Sequence, residues 1–141
     1  MSAKIEVAGE LFSNHWLSKA ADDLASARSD VEAGRFGNAV RSLYFACFHS
    51  LGALLWKEGI WNSSMRRPRS VHKSLRSILH REIIRTGRLE TIWGDFYDEI
   101  YAGRKEVDYE PLAVYEPEQV RFLTERAEAF VKHIESLIST K

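Results

Sequence analysis

At 141 residues and 16.2 kDa, with 45% of residues hydrophobic, the chain can bury one core without disulfide or metal staples. Its single cysteine, Cys47, lies in the apolar run Tyr44 to Phe48, which excludes an intrachain disulfide and a cysteine-based zinc site and fits a reducing cytoplasm. Twenty lysines and arginines balance twenty acids, the first ten residues hold no apolar leader, and no stretch nears the roughly 18 apolar residues of a membrane span. A cytoplasmic, single-domain protein over residues 1–141 is expected, with its core between about 14 and 138.

Periodicity predicts five helices and no strand. The first runs from about Asn14 to Ala33, with Leu17, Ala20, Ala21, Leu24, Ala27 and Val31 on one stripe, and stops at Gly34. Asn38 is placed to cap a second helix that is apolar nearly all round (Ala39, Val40, Leu43, Tyr44, Ala46, Cys47, Phe48, Leu51, Leu54, Leu55), which assigns it to the bundle centre. Ile60 to Arg69 has no helical period and reads as an exposed loop. Ser70 then caps a third helix (Val71, Leu75, Ile78, Leu79, Ile83) that ends at Gly87. The fourth carries the aromatic stripe Leu89, Ile92, Trp93, Phe96, Tyr97, Ile100, Tyr101, a pattern of core or dimer interface, and Gly103 loosens its end ahead of a loop from Val107 to Tyr115. The fifth begins near Pro117 and presents Val120, Leu123, Ala127, Phe130, Val131, Ile134 and Ile138. Short connections between amphipathic helices give an all-α up-and-down bundle of four main helices plus one more.

The zero net charge hides an asymmetry. Between Arg66 and Arg88 eight cations and two histidines face the single acid Glu82, whereas between Glu90 and Glu118 nine acids face Arg104 and Lys105. A basic surface is the footprint of a polyanion partner, with Arg69, Lys73, Arg76 and Arg81 as the candidate phosphate contacts; two solvated helix faces of opposite sign are the plain alternative.

Chemical motifs are sparse: there is no Gly-rich phosphate loop, no HExxH and no histidine–carboxylate set at metal spacing, so no metal or cofactor is called for. What remains is a group of polar residues near helix ends, His72, Arg104, Asp108 and Tyr109, with Ser42 and Tyr44 as neighbours on the central helix. Arg104 offers a planar fork of donors to a phosphate, or simply complements the helix dipole and pairs with Asp108. His72 is a candidate acid, base or phosphate contact, or a packed first-turn residue. Tyr109 is a stacking platform or a modifiable hydroxyl, or a loop side chain covering the core. His49 and Cys47 read as core. His80 on the third helix could carry a transferred phosphoryl group, although nothing in the surrounding sequence marks it.

The segments Ala39-Val40-Arg41-Ser42-Leu43-Tyr44-Phe45-Ala46, Ser70-Val71-His72-Lys73-Ser74-Leu75 and Ala102-Gly103-Arg104-Lys105-Glu106-Val107-Asp108-Tyr109, in that order, resemble the short stand-alone HEPN proteins of bacteria and archaea. The likeness covers about Ser18 to Ser136 and implies a helical bundle, dimerised with a polar site at the subunit interface. The family's RNases use an arginine and, little more than a helical turn later, a histidine, and cut RNA without a metal. Arg104 matches that arginine, but Asp108-Tyr109 stands where the histidine belongs, and a tyrosine titrating near pH 10 is a poor base at neutrality. The resemblance therefore implies candidate catalytic residues Arg104, Tyr109, Asp108 and His72, and a tyrosine, Tyr109, near the position that nucleotidyltransferase antitoxins modify. The reading expected is an RNA- or nucleotide-binding component of a toxin-antitoxin or related two-component system with weak or lost catalysis. A metal-independent RNase toxin is the first alternative and a structural adaptor dimer the second. The partners implied are a second copy of the chain, a nucleotidyltransferase-type antitoxin, and RNA or a nucleotide.

Overall fold

The computed structural model describes residues 3–60, 71–110 and 114–139, with side chains from residue 8 onward. It is an all-α bundle of five helices: α1 (Ala3–Glu32), α2 (Phe36–Lys57), α3 (Val71–Ile78), α4 (Thr91–Tyr109) and α5 (Pro117–Ser139), with a π-helical segment, Leu79–Ile84, continuing α3. No described helix is long and apolar enough to cross a membrane.

As its all-round apolar sequence requires, α2 is the central rod, packed against α1, α4 and α5. Leu43, Tyr44, Cys47, Leu51, Leu54 and Leu55 on it are fully buried. The α1–α2 turn closes with Gly34 at φ +77°, where its amide reaches the Val31 carbonyl (3.1 Å) and the Arg35 amide reaches Asp30 (2.8 Å). That pair of bonds satisfies the last carbonyls of α1 and needs the left-handed conformation glycine supplies. At α5, Pro117 opens the first turn and the Gln119 side chain accepts from the Glu116 amide (3.2 Å), closing half of a capping box.

Three local expectations are corrected. First, α1 begins at Ala3 and not near Asn14: Phe12 stacks on Trp56 at 4.5 Å, and Gly9 lies so close that a Cβ there would sit 2.7 Å from the Trp56 carbonyl oxygen. Second, Asn38 does not cap α2, which starts at Phe36 without a side-chain cap; Asn38 instead accepts a hydrogen bond from Arg41 (3.1 Å). Third, α4 runs through Gly103 to Tyr109, so Val107, Asp108 and Tyr109 stand in its last turn and not in a loop. Gly103 is there because a Cβ would meet Tyr115 Oη at 3.0 Å and Val40 at 3.3 Å. Of the two roles expected for it, the α4 aromatic stripe takes that of core: Trp93, Phe96, Tyr97, Ile100 and Tyr101 are all buried, leaving Ile92 as the exposed large apolar residue of that stripe. The expected cap residue Ser70 lies outside the described residues.

Candidate functional site

The site forms where α2, α3 and α4 meet. Tyr44 on α2 is fully buried, and its hydroxyl lies 2.6 Å from Nδ1 of His72, the second residue of α3. His72 stacks on Phe48 (4.5 Å between ring centres, 27° between planes). From α4, the Arg104 guanidinium covers the rings of Tyr44 and Phe45 at 5.7 and 5.6 Å. Its side chain is only 21% exposed, and its buried Nε lies 3.3 Å from Asp108 Oδ2 without a hydrogen bond of good geometry. Arg104 is thus more enclosed than its place near a helix end suggested.

Asp108 is held by two cations. Arg41 on α2 donates to its Oδ1 from Nε (2.9 Å) and Nη2 (2.6 Å), while Arg104 flanks Oδ2. A carboxylate clamped this way ties the end of α4 to α2. Tyr109, one residue on, is 77% exposed, and its side chain makes no hydrogen bond or ring contact among the described residues. His72, Arg104 and Asp108 are therefore brought together, and Tyr109 is left outside.

Sequence reasoning missed a second imidazole. His49, taken for a core residue, lies one turn after Phe45 on α2, with Nδ1 2.6 Å from Asp23 Oδ2 on α1 and its side chain 16% exposed. It stacks with Phe45 at 5.8 Å and meets the edge of Trp16 at 5.1 Å. The half-buried Phe45 ring is thus a floor with His49, His72 and Arg104 each within about 6 Å of it. The signal available in the sequence was the spacing Arg41, Phe45, His49, a polar–aromatic–polar stripe at four-residue steps on an otherwise apolar helix.

Burial and charge set the state of His72. Burial, the charge of Arg104 and the proximity of His49 hold His72 below the ordinary histidine pKa, so it is neutral at pH 7. Burial pushes the Tyr44 phenol well above its ordinary range, so it keeps its proton. The arrangement that satisfies this buried donor has Tyr44 donating to Nδ1, which puts the single proton of neutral His72 on Nε2. His72 is then a hydrogen-bond donor. In His49 the Nδ1–H donates to the carboxylate of Asp23, which fixes the orientation of the ring.

Of the proposed phosphate contacts, Arg69 lies outside the described residues. Lys73 is exposed on the outer face of α3. Arg76 donates to Asp98 (2.7 Å) and packs over Tyr101 (5.1 Å), so part of the basic stretch is neutralised internally by α4. Arg81 is exposed, with Glu82 at 3.4 Å. Among the described residues no three ligating side chains are grouped to hold a metal ion.

These features, an arginine and a histidine brought together by three helices of a bundle whose central helix carries Leu-Tyr-Phe-Ala, agree with the family comparison. The model of the HEPN domain matches residues 13–137. The chain belongs to the HEPN family. It is also 31% identical over 124 residues to the UPF0332 protein of Thermotoga maritima (strain ATCC 43589 / DSM 3109 / JCM 10099 / NBRC 100826 / MSB8), an alignment covering 88% of this chain and 89% of that protein.

Proposed function

We propose that this HEPN protein is the RNA- or nucleotide-binding component of a toxin-antitoxin or related two-component nucleotidyltransferase system, with cleavage weak or lost. The observation that supports it is the Tyr44–His72 hydrogen bond. It turns the imidazole that feels the charge of Arg104 into a donor for a phosphate oxygen, where a nuclease needs a base to take the 2′-hydroxyl proton. Arg104 supplies the charge-assisted contact, and Phe45 offers an aromatic face for a base. The family likeness supports a homodimer and a nucleotidyltransferase partner; Tyr109 and Val114, 77% and 78% exposed at the end of α4 and beyond it, are available to either.

The test is binding of a short single-stranded RNA at low salt. Arg104→Ala removes one charged hydrogen-bonding partner, a loss of about 1.5–3 kcal/mol, or roughly 10- to 150-fold in Kd. Absence of RNA binding at low salt would leave the structural adaptor dimer.

A second reading, the metal-independent RNase, is favoured by the Asp23–His49 pair, which holds a carboxylate-oriented imidazole beside the same ring as Arg104. On that reading purified protein cuts RNA in the presence of chelator, and His49→Ala abolishes the cut while His72→Ala does not.

A further inference from the structure

The π-helical segment after α3 has a consequence for the basic face. In an α-helix Ile84 would stand one turn above His80; widening the turn by one residue places the Arg85 amide on the His80 carbonyl (2.9 Å) instead. Two effects follow. Ile83 is fully buried and Ile84 turns toward Gly94 of α4, while Arg85 joins the strip that His72, Arg76 and His80 already form at four-residue steps. Arg76, Ser77, His80, Arg81 and Arg85 then line a solvent-open hollow of about 430 Å³.

The hollow is built, and its charge is positive. His80 sits against Gly94, where a Cβ would lie 2.8 Å from its Cε1, and its Nε2 is 2.9 Å from Asp98 Oδ1. The same oxygen accepts from Arg76 Nε at 2.7 Å, so Asp98 orients both side chains. The acids at hand are Asp98, shared by Arg76 and His80, and Glu82, 3.4 Å from Arg81; Arg85 has no carboxylate partner among the described residues. Three guanidiniums, an imidazole and a hydroxyl thus face one open volume with fewer acids than cations, which is the chemistry of an anion seat. At about 1.5 Å per residue, His80 lies roughly 12 Å along the helix from His72.

We propose that this hollow is a second phosphate site, seating a backbone phosphate of a single RNA strand that runs along α3 from the Arg104–His72 site. It rests on the RNA-binding reading of that first site. The probe is a fluorescent single-stranded RNA of about a dozen nucleotides, within the usual span of strand-binding sites. Anisotropy is measured over a salt series with the full chain, Arg81→Gln, Arg85→Gln, Arg85→Lys and, as a distant control, Arg126→Gln on α5. Each hollow arginine removed should weaken Kd several-fold and shallow the log–log salt slope by up to about 0.7, the value for loss of one phosphate contact on a single strand. Arg85→Lys should keep the slope, Arg126→Gln should leave it unchanged, and matching circular dichroism melts show that the folds are equal. RNA that carries a 5′ phosphate should bind like RNA without one, because a backbone group is seated. An unchanged slope in Arg81→Gln and Arg85→Gln, alongside weakened binding in Arg104→Ala, overturns the hollow and leaves the first site standing. So does an Arg126→Gln effect as large as that of Arg85→Gln, or dependence on the 5′ phosphate. No RNA binding by the parent at low salt overturns both.

Discussion

Tyr44→Phe isolates the hydrogen bond on which the site's chemistry turns. The ring remains, so its packing and its contact with Arg104 persist, and what is lost is the hydroxyl, which meets His72 Nδ1 at 2.6 Å and also neighbours the buried Tyr97 hydroxyl. Leaving a buried acceptor unpaired costs about 1–3 kcal/mol; because His72 is only partly buried and water can replace the phenol in part, the lower half of that range applies. For a chain of this size about 1–2 kcal/mol lowers Tm by roughly 4–8 °C. The sign with pH follows from His72. Its folded pKa is lowered, so the unfolded chain takes up the proton first, and the stability this residue contributes is present above about pH 6.5 and lost as the pH falls through the folded value. Removing a donor to the neutral ring lets the folded pKa rise, so the deficit of Tyr44→Phe should be smaller at about pH 5.5 than at neutrality. Differential scanning calorimetry at the two pH values measures both effects. A variant as stable as the parent at neutral pH, or one equally destabilised at both, would refute the Tyr44-to-Nδ1 assignment.

Gly94→Ala should destabilise the bundle by about 1 kcal/mol. The new methyl would stand 2.8 Å from His80 Cε1 and 3.2 Å from Ile84, an overpacking loss of about 1–3 kcal/mol against a helix-propensity gain of about 0.5–1 kcal/mol, read from urea midpoints. Asp98→Asn removes the carboxylate that Arg76 and His80 share; the pair is over a third exposed, so melting should change by less than about 1 kcal/mol while RNA affinity changes through freed cations. Light scattering at micromolar concentration should give twice 16.2 kDa if the homodimer forms, and a mass of one chain at all concentrations would remove it.

The helices were legible because their signals are local. The apolar sweep of α2, the glycines at 34 and 87 and the proline at 117 each act within a turn or two, and the structure uses them as the sequence suggests. Arg104 was legible as the landmark of an ordered motif, and His72 as a polar residue at the head of a basic helix. The site's other half was not. His49 sits in an apolar run, and its partner Asp23 is 26 residues away on another helix, so nothing local separates it from a core histidine. Gly103 misled for the opposite reason: a glycine in a helical pattern reads as a weak point, yet here it admits Tyr115 and Val40 from elsewhere in the chain. The π turn is equally invisible, since it resolves a competition between burying Ile83 with Ile84 and keeping four-residue spacing, which is decided by contact with α4.

The five histidines make the most direct test, because they report on different places: His72 and His49 on the Phe45 floor, His80 in the basic hollow, His15 exposed on α1 and His133 beside Trp93. Imidazole NMR signals followed while a short single-stranded RNA is added should show the His72 resonance moving first and furthest, His49 with it, and His15 and His133 still. In Arg104→Ala the His72 response should shrink while the free-protein spectrum keeps its dispersion. Movement confined to His15 or His133, or a His72 response untouched by loss of Arg104, would contradict the placement of the ligand phosphate between Arg104 and His72.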